Sequence, residues 1–361
     1  MKIAIFSLPQ NWNYGGILQS FALKSVLQSR GHRVTIICRR ASQSPLKRVI
    51  AWLKWHSLPW LWKISQKTAW SKLVAVEKFK QRCLSESTSP FFRENSLKHF
   101  FRRQKFDAVI VGSDQIWRFH AAPSIPNAFL NFLADDHDIR KIAYAASFGV
   151  DHLDYPAKVL EECRFLATLF SAISVREKSG VQICRRDIGC DAIQLADPTM
   201  LLSAQDYDAA CGVTKQDGND PKLFCYFLDS SPEKTSTMQI VADAMKLTIH
   251  NFLSPAHSQK DYSVENWIRS FRKASAVMTD SFHGTVFSLI YHRPFVVFCN
   301  SERGAERFFT LLSDFGLTDR LIDTPDNALG KLQQEIDWAH IDEIIQQKQT
   351  QAFRFLQENL R

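Results

Sequence analysis

The sequence predicts an α/β protein built on two open parallel sheets, and three observations carry that prediction. The chain has 361 residues, more than one hydrophobic core usually serves. Short β-branched runs alternate with helically spaced apolar residues twice, on either side of a polar, turn-rich stretch from Ser203 to Pro221. Glycines and polar residues recur where the runs end, which in open parallel sheets is where ligands bind. Two such sheets facing one another would place a site in the cleft between them.

The elements follow in order. Residues 1–9 carry an apolar stretch too short for a signal peptide, and Lys2 to Ser7 reads as a first strand. Residues 8–16 read as a loop ending in Gly15-Gly16. Ile17, Phe21, Leu23, Val26 and Leu27 approximate helical spacing up to Arg30, and Gly31 is a good stop. Strands are expected at 34–38, 107–111, 142–145, 171–175 and 193–195. Asp217-Gly218-Asn219-Asp220-Pro221 then suits a linker. The second array has strands at 223–227, 274–278 and 295–298, with helices at 232–246 and 285–291. The tail, 331–361, is helical. The expected domains are therefore 1–202, with a basic insertion at about 41–83, and 203–330, with the tail helix crossing back to the first.

Composition narrows the class. Hydrophobic residues make up 45% and charged residues 23%, which excludes a disordered or collagen-like chain. No apolar run is long enough to span a membrane. Cys38, Cys83, Cys163, Cys184, Cys190, Cys211, Cys225 and Cys299 form no close CxxC pair and no zinc-finger spacing, so free thiols and no metal are expected. The net charge of +8 is uneven. Residues 24–83 hold fourteen Lys/Arg and one acid, Glu77, a local +13 that leaves about −5 elsewhere. That is a basic face, not a coat for nucleic acid. Five of the nine tryptophans, Trp52, Trp55, Trp60, Trp62 and Trp70, lie there with Lys47, Arg48, Lys54 and Lys63. The mixture suits either an anionic membrane surface or a helical hairpin packed on its own domain.

Five motifs sit at strand ends. In Asn13-Tyr14-Gly15-Gly16-Ile17-Leu18-Gln19 the glycines open a helix start to a ligand or form a tight turn. In Gly112-Ser113-Asp114-Gln115-Ile116-Trp117 an acid and an amide suit sugar hydroxyls, or Ser113 or Asp114 caps a helix with Trp117 in the core. Arg176, in Ser174-Val175-Arg176-Glu177, offers a planar fork to an anion or pairs with Glu177. In Thr279-Asp280-Ser281-Phe282-His283-Gly284, His283 lies between a strand end and a helix whose positive end should lower its pKa, with Asp280 or Ser281 holding the ring. A capping loop with a structural histidine is the other reading. Arg303 and Arg307 share one helical face, as an anion site or as partners of Glu302 and Glu306.

These segments resemble the polysaccharide pyruvyl transferase family: NYGGILQSFALKSVL at 13–27, FDAVIVGSDQIW at 106–117, ISVREKSG at 173–180, DPTMLL at 197–202, TDSFHGTVFSLI at 279–290 and RGAERFFTLLSDFGLTDRL at 303–321. The resemblance implies two Rossmann-like domains with parallel sheets facing a central cleft, as in GT-B glycosyltransferases. It implies transfer of a pyruvyl group from phosphoenolpyruvate to two sugar hydroxyls, with no cofactor besides that donor and no metal. His283 becomes the expected acid or base. Arg176, Arg303, Arg307, Ser281 and Gly284 become the donor site, in the main on the 203–330 side. Asn13, Tyr14, Gly15, Gly16, Gln19, Ser113, Asp114 and Gln115 fall on the acceptor side, with Asp197 and Asp280 in support. The expected acceptor is a galactose-type, lipid-linked sugar of a capsular or exopolysaccharide. The expected location is cytoplasmic, peripheral on the inner face of the membrane. The competing readings are a nucleotide-sugar-dependent glycosyltransferase of the same architecture and a non-catalytic glycan-binding protein.

Overall fold

A computed structural model describes residues 1–9, 13–41, 67–214, 221–254, 262–298, 306–322 and 327–361, with backbone alone over 67–73. The basic, Trp-rich stretch therefore lies largely outside the described residues. So do Arg303, the four lysine and arginine positions named there, and the turn at 217–220.

The chain divides into two compact units, Met1–Pro198 with Arg354–Arg361, and Thr199–Phe353. The first holds a six-stranded, wholly parallel sheet: β1 (Lys2–Ser7), β2 (Arg33–Cys38), β3 (Ala108–Val111), β4 (Arg140–Ala146), β5 (Ala172–Val175) and β6 (Ile193–Gln194), in the order β2-β1-β3-β4-β5-β6. The second holds β7 (Lys222–Tyr226), β8 (Thr248–Asn251), β9 (Ala274–Thr279), β10 (Phe295–Phe298) and β11 (Leu321–Ile322), in the order β11-β10-β9-β7-β8. Counted within each unit both orders run 2-1-3-4-5, and the first continues to a sixth strand. Each sheet thus reverses direction between its first and third strands, at β1/β3 and at β7/β9. Ligands of open α/β sheets bind beyond the strand ends at that reversal.

The central strands are buried on both faces, which is why they read as continuous apolar runs. Phe6, Phe101, Trp117, Phe129, Phe132 and Phe148 fill one side of the first sheet. Trp117 stacks on Phe129 at 4.6 Å and its Nε1 donates to the Ala128 carbonyl, so of the two readings of that tryptophan the core one holds. Ser174 fills a local irregularity: β4 bulges between Ala143 and Ala146, and the Ser174 hydroxyl accepts from Ala145 N and donates to the Ala143 carbonyl, both at 2.9 Å.

The helices used below are α1 (Tyr14–Ser29), α2 (Lys67–Cys83), α3 (Ala204–Cys211), α4 (Pro232–Met245), α5 (Val264–Lys273), α6 (Phe282–Ile290), α7 (Glu306–Asp314), α8 (Ala328–Gln333) and α9 (Trp338–Asn359). Several elements differ from those expected. The polar, turn-rich stretch carries α3, started by a capping box between Ser203 and Asp206. Strand β8 and helix α5 stand where none was assigned, although Val264, Trp267, Ile268 and Phe271 carry a clear helical period. Arg320 is buried and donates to the carbonyls of Lys331 and Gln334, closing the end of α8. Helix α9 starts in the second unit, and its last residues belong to the first, where Arg140 donates to the carbonyls of Asn359 and Arg361.

The outer edge of the first sheet is covered by residues 84–91, which run parallel to β2. Lys24 of α1 holds this segment through Glu86 and the Cys83 carbonyl. Burial alone would raise the Glu86 pKa, but hydrogen bonds led by that of Lys24 hold it at about 2. A carboxylate with a depressed folded-state pKa stabilises above its ordinary value, and that contribution fades as pH falls toward 2. Glu86→Gln is therefore expected to lower the denaturation midpoint at pH 6 and to converge with wild type near pH 2. Parallel curves across that range would break the argument.

Candidate active site

The first site grows from the β1/β3 reversal. Helix α1 begins at Tyr14, earlier than expected, so Gly15-Gly16 lie in its first turn and not in the preceding loop. Asn13 stands at the cap position without a side-chain capping bond; its Nδ2 turns to Asp114 Oδ2 at 3.4 Å. Tyr14 is buried in the core. Gln19 also points inward, donating to the Gly16 carbonyl and to Ser20 Oγ, which removes it from the acceptor face on which it was expected.

Asp114 adopts φ 64°, the left-handed region that non-glycine residues rarely occupy, at a cost of about 1–2 kcal/mol. Two bonds to its carbonyl hold it there, from Ile116 N at 2.7 Å and Ser147 N at 3.0 Å. The twist aims the carboxylate back at the start of α1, where an added Cβ on Gly16 would lie 3.7 Å from Oδ2. Gln115 packs its amide against Gly149, whose φ of +68° and missing Cβ leave the room. Ser113 is fully buried and donates to Asp197 Oδ2 at 3.1 Å, so it caps no helix.

Next along the same sheet edge lies a buried ionic cluster. Arg176, only 4% exposed, donates from Nη1 to Asp197 Oδ2 at 2.7 Å and from Nε to Glu177 Oε1 at 3.2 Å. Ser147 donates to the same Glu177 oxygen at 2.5 Å. Burial alone would lower the Arg176 pKa; the carboxylates of Glu177, Asp197 and Asp114 outweigh it and hold the guanidinium above its ordinary value. Burial and then Asp197 push the Tyr144 phenol up. Beside the donor clamp expected of Arg176, the fold sets a carboxylate on Nη1 and another on Nε. The pairing with Glu177 is the one read from the sequence, whereas Ser147 carries no signal of its own, because it joins Glu177 only when the ends of β4 and β5 meet.

The second site grows from the β7/β9 reversal. Helix α6 starts at Phe282 and not near Thr285, because Ser281 Oγ accepts from Gly284 N and caps it. His283, 6% exposed, thus lies in the first turn, its ring 5.3 Å from that of Phe282. Asp280 does not hold the imidazole. It accepts from the backbone N–H groups of Leu228 and Asp229 at 2.6 and 3.2 Å and from Lys234 Nζ at 2.6 Å, tying the loop after β7 to the end of β9. Lys234, in the first turn of α4, has no sequence signature; only the fold brings it to Asp280. Arg307 of α7 lies over the Phe282 ring at 5.8 Å.

Gly284 has a packing reason for being glycine. A Cβ there would come within 2.3 Å of Thr279 Oγ1, which itself donates to the Tyr226 carbonyl. Gly284→Ala is expected to cost about 1–3 kcal/mol by forcing α6 off β9. A denaturation midpoint equal to wild type would show that Thr279 yields freely.

Comparison with known proteins agrees with this architecture. No curated protein matches the chain. Solved structures with the same fold include Arabidopsis thaliana UGT89C1 complexed with UDP-L-rhamnose, at TM-score 0.53 and 8% identity, covering 99% of this chain and 98% of that one. A putative UDP-N-acetylglucosamine 2-epimerase from Listeria monocytogenes gives TM-score 0.53 and 10% identity, covering 99% and 95%. The UDP-GlcNAc 2-epimerase of Methanocaldococcus jannaschii gives 0.52 and 10%, covering 96% and 92%. Such distant likeness establishes two Rossmann-like units of the GT-B kind. The family model for polysaccharide pyruvyl transferase spans residues 13–302, from Asn13 at the first reversal through His283 at the second. That span covers most of the chain, and the chain belongs to the polysaccharide pyruvyl transferase family.

Proposed function

We propose that the protein transfers the pyruvyl group of phosphoenolpyruvate to two hydroxyls of one sugar, galactose-type and lipid-linked, in a capsular or exopolysaccharide repeat unit. The observation that supports this reading is the division of charge between the two reversal points. The first presents Asp114 with Asn13 and Gln115, backed by a cluster in which Asp114, Glu177 and Asp197 outnumber Arg176. Such a set accepts hydrogen bonds from a neutral polyol and disfavours a polyanion. The second carries His283, Arg307 over the Phe282 ring and the Lys234–Asp280 pair, and the guanidinium of Arg307 suits a donor bearing a carboxylate and a phosphate.

The chemistry assigns a role to each group. His283 donates a proton to C3 of the donor as the first sugar oxygen bonds to C2, and the proton of that hydroxyl returns to the imidazole. Phosphate then leaves with the electron pair of the C2–O bond. The second hydroxyl closes the ketal at C2, and its proton departs with phosphate. Asp114 orients the hydroxyls. Arg307 holds the donor anion, together with Arg303, while Lys234 stays paired with Asp280. Arg176 positions Asp197 and Glu177 and is not itself a donor ligand.

The test is incubation with phosphoenolpyruvate and a panel of lipid-linked oligosaccharides. A product heavier by pyruvic acid less one water, with one phosphate released per product, is expected. Consumption of a sugar nucleotide with no such gain would overturn the reading.

A further inference from the structure

A second polar cavity opens on the edge of the first sheet, apart from the residues assigned above. Its volume is about 450 Å3, and it lies between the last turns of α2 and the segment that covers β2. Arg40 and Lys80 line it with the hydroxyl residues Ser87, Thr88 and Ser89, and Glu77 stands at one side. The walls are built firmly. Arg40 N donates to the Phe91 carbonyl at 2.9 Å, Thr88 N to the Ile36 carbonyl at 2.9 Å, and Cys38 N to Thr88 Oγ1 at 3.1 Å. That last bond leaves the Thr88 hydroxyl proton to be donated elsewhere. Arg40 Nε is buried and meets no hydrogen-bond acceptor among the described residues, a costly arrangement for a charged group. Lys80 is mostly buried and pairs with Glu77, itself half exposed, at 2.9 Å.

Place and chemistry point the same way. Cys38 ends β2 in register with Ser7 at the end of β1, on the same sheet rim as Asp114. Two strand spacings separate the β2 and β3 ends, about 10 Å. Two cations with hydroxyl donors at a rim of this kind match the oxygens of a phosphate ester.

We propose that this cavity binds the phosphate or diphosphate group carried by the acceptor, while the sugar to be modified lies at Asp114. The inference rests on the sugar-acceptor reading only for the identity of the molecule that bears the phosphate. The group can come from a soluble glycosyl phosphate or from a lipid diphosphate, and the two sources are separable.

Binding is measured with inorganic pyrophosphate by calorimetry and with farnesyl diphosphate in phosphatidylcholine vesicles by co-sedimentation. Wild type is compared with Arg40→Gln, Lys80→Gln, Glu77→Gln and, as a control outside the cavity lining, Lys273→Gln. Loss of one charge-assisted contact is expected to weaken pyrophosphate roughly tenfold in each cation variant. Glu77→Gln, which removes a competing anion, is expected to tighten it, and Lys273→Gln to leave it unchanged. Competition between pyrophosphate and the vesicle probe supports a lipid source. Binding of pyrophosphate alone supports the site with a soluble source. No pyrophosphate binding, equal affinity in all variants, or vesicle binding that pyrophosphate does not displace would overturn the proposal. None of these measurements needs turnover, so they decide the matter even for a chain inert in the pyruvylation assay.

Discussion

His283→Ala is expected to lower turnover by about 10²–10⁴-fold, the usual worth of a positioned acid or base, with the fold retained. The imidazole stands in the first turn of α6, directly beyond the end of β9 at the β7/β9 reversal. Every residue of α6 is buried and the helix is capped by Ser281, so the ring is held on a rigid element. The substitution removes a side chain at the helix start and leaves the cap and the Gly284–Thr279 contact in place, so the thermal midpoint should move little. Because the imidazole is assigned a proton transfer, kcat should fall more than the donor KM rises. A folded His283→Ala protein with near-wild-type kcat would remove His283 from the chemistry. A normal kcat with a raised donor KM would make it a binding residue only. The paired measurement on Arg307→Ala is expected to show the opposite split, a raised donor KM with kcat less affected.

How much of this is legible in the sequence depends on how local each feature is. The central strands are legible because burial on both faces leaves continuous apolar runs, as at 108–111 and 295–298. The positions of Asp114 and His283 at strand ends follow from those runs. Features that depend on several strand ends meeting are not legible. Glu177, Ser147 and Asp197 come from the ends of three different strands, and no spacing announces that Asp197 joins Arg176 or that Ser147 joins Glu177. Lys234 reaches Asp280 across 46 residues. The start of α6 is hidden because Phe282-His283-Gly284 carries no helix-favouring residue; Ser281 alone marks it, and a lone serine marks turns as readily as caps. Gln19 reads as a ligand-facing residue because its position near two glycines says nothing about which side of α1 it faces.

Arg176→Met should be the most destabilising of the substitutions considered, by about 3–5 kcal/mol, because it leaves Asp197 and Glu177 buried without their counter-ion. The sign of its pH dependence follows. Without the guanidinium two buried carboxylates lack a counter-ion, and desolvation disfavours their charged form. Such groups destabilise at neutral pH, and the penalty fades as they become protonated on acidification. The gap between wild type and Arg176→Met should therefore be widest near pH 7 and shrink in acid, whereas a simple cavity would give a gap that does not vary with pH. Arg176→Lys separates the two roles considered for this residue. An ammonium retains the charge but cannot reach Asp197 Oδ2 and Glu177 Oε1 with the same planar fork. As a positioning residue, Arg176 replaced by lysine should lower the thermal midpoint and kcat together while the donor KM stays within about twofold of wild type. A donor KM raised roughly tenfold at unchanged stability would mean that the guanidinium exchanges a carboxylate for the donor anion during the reaction. The division of charge between the two reversal points would then have to be redrawn, with the donor placed at the first.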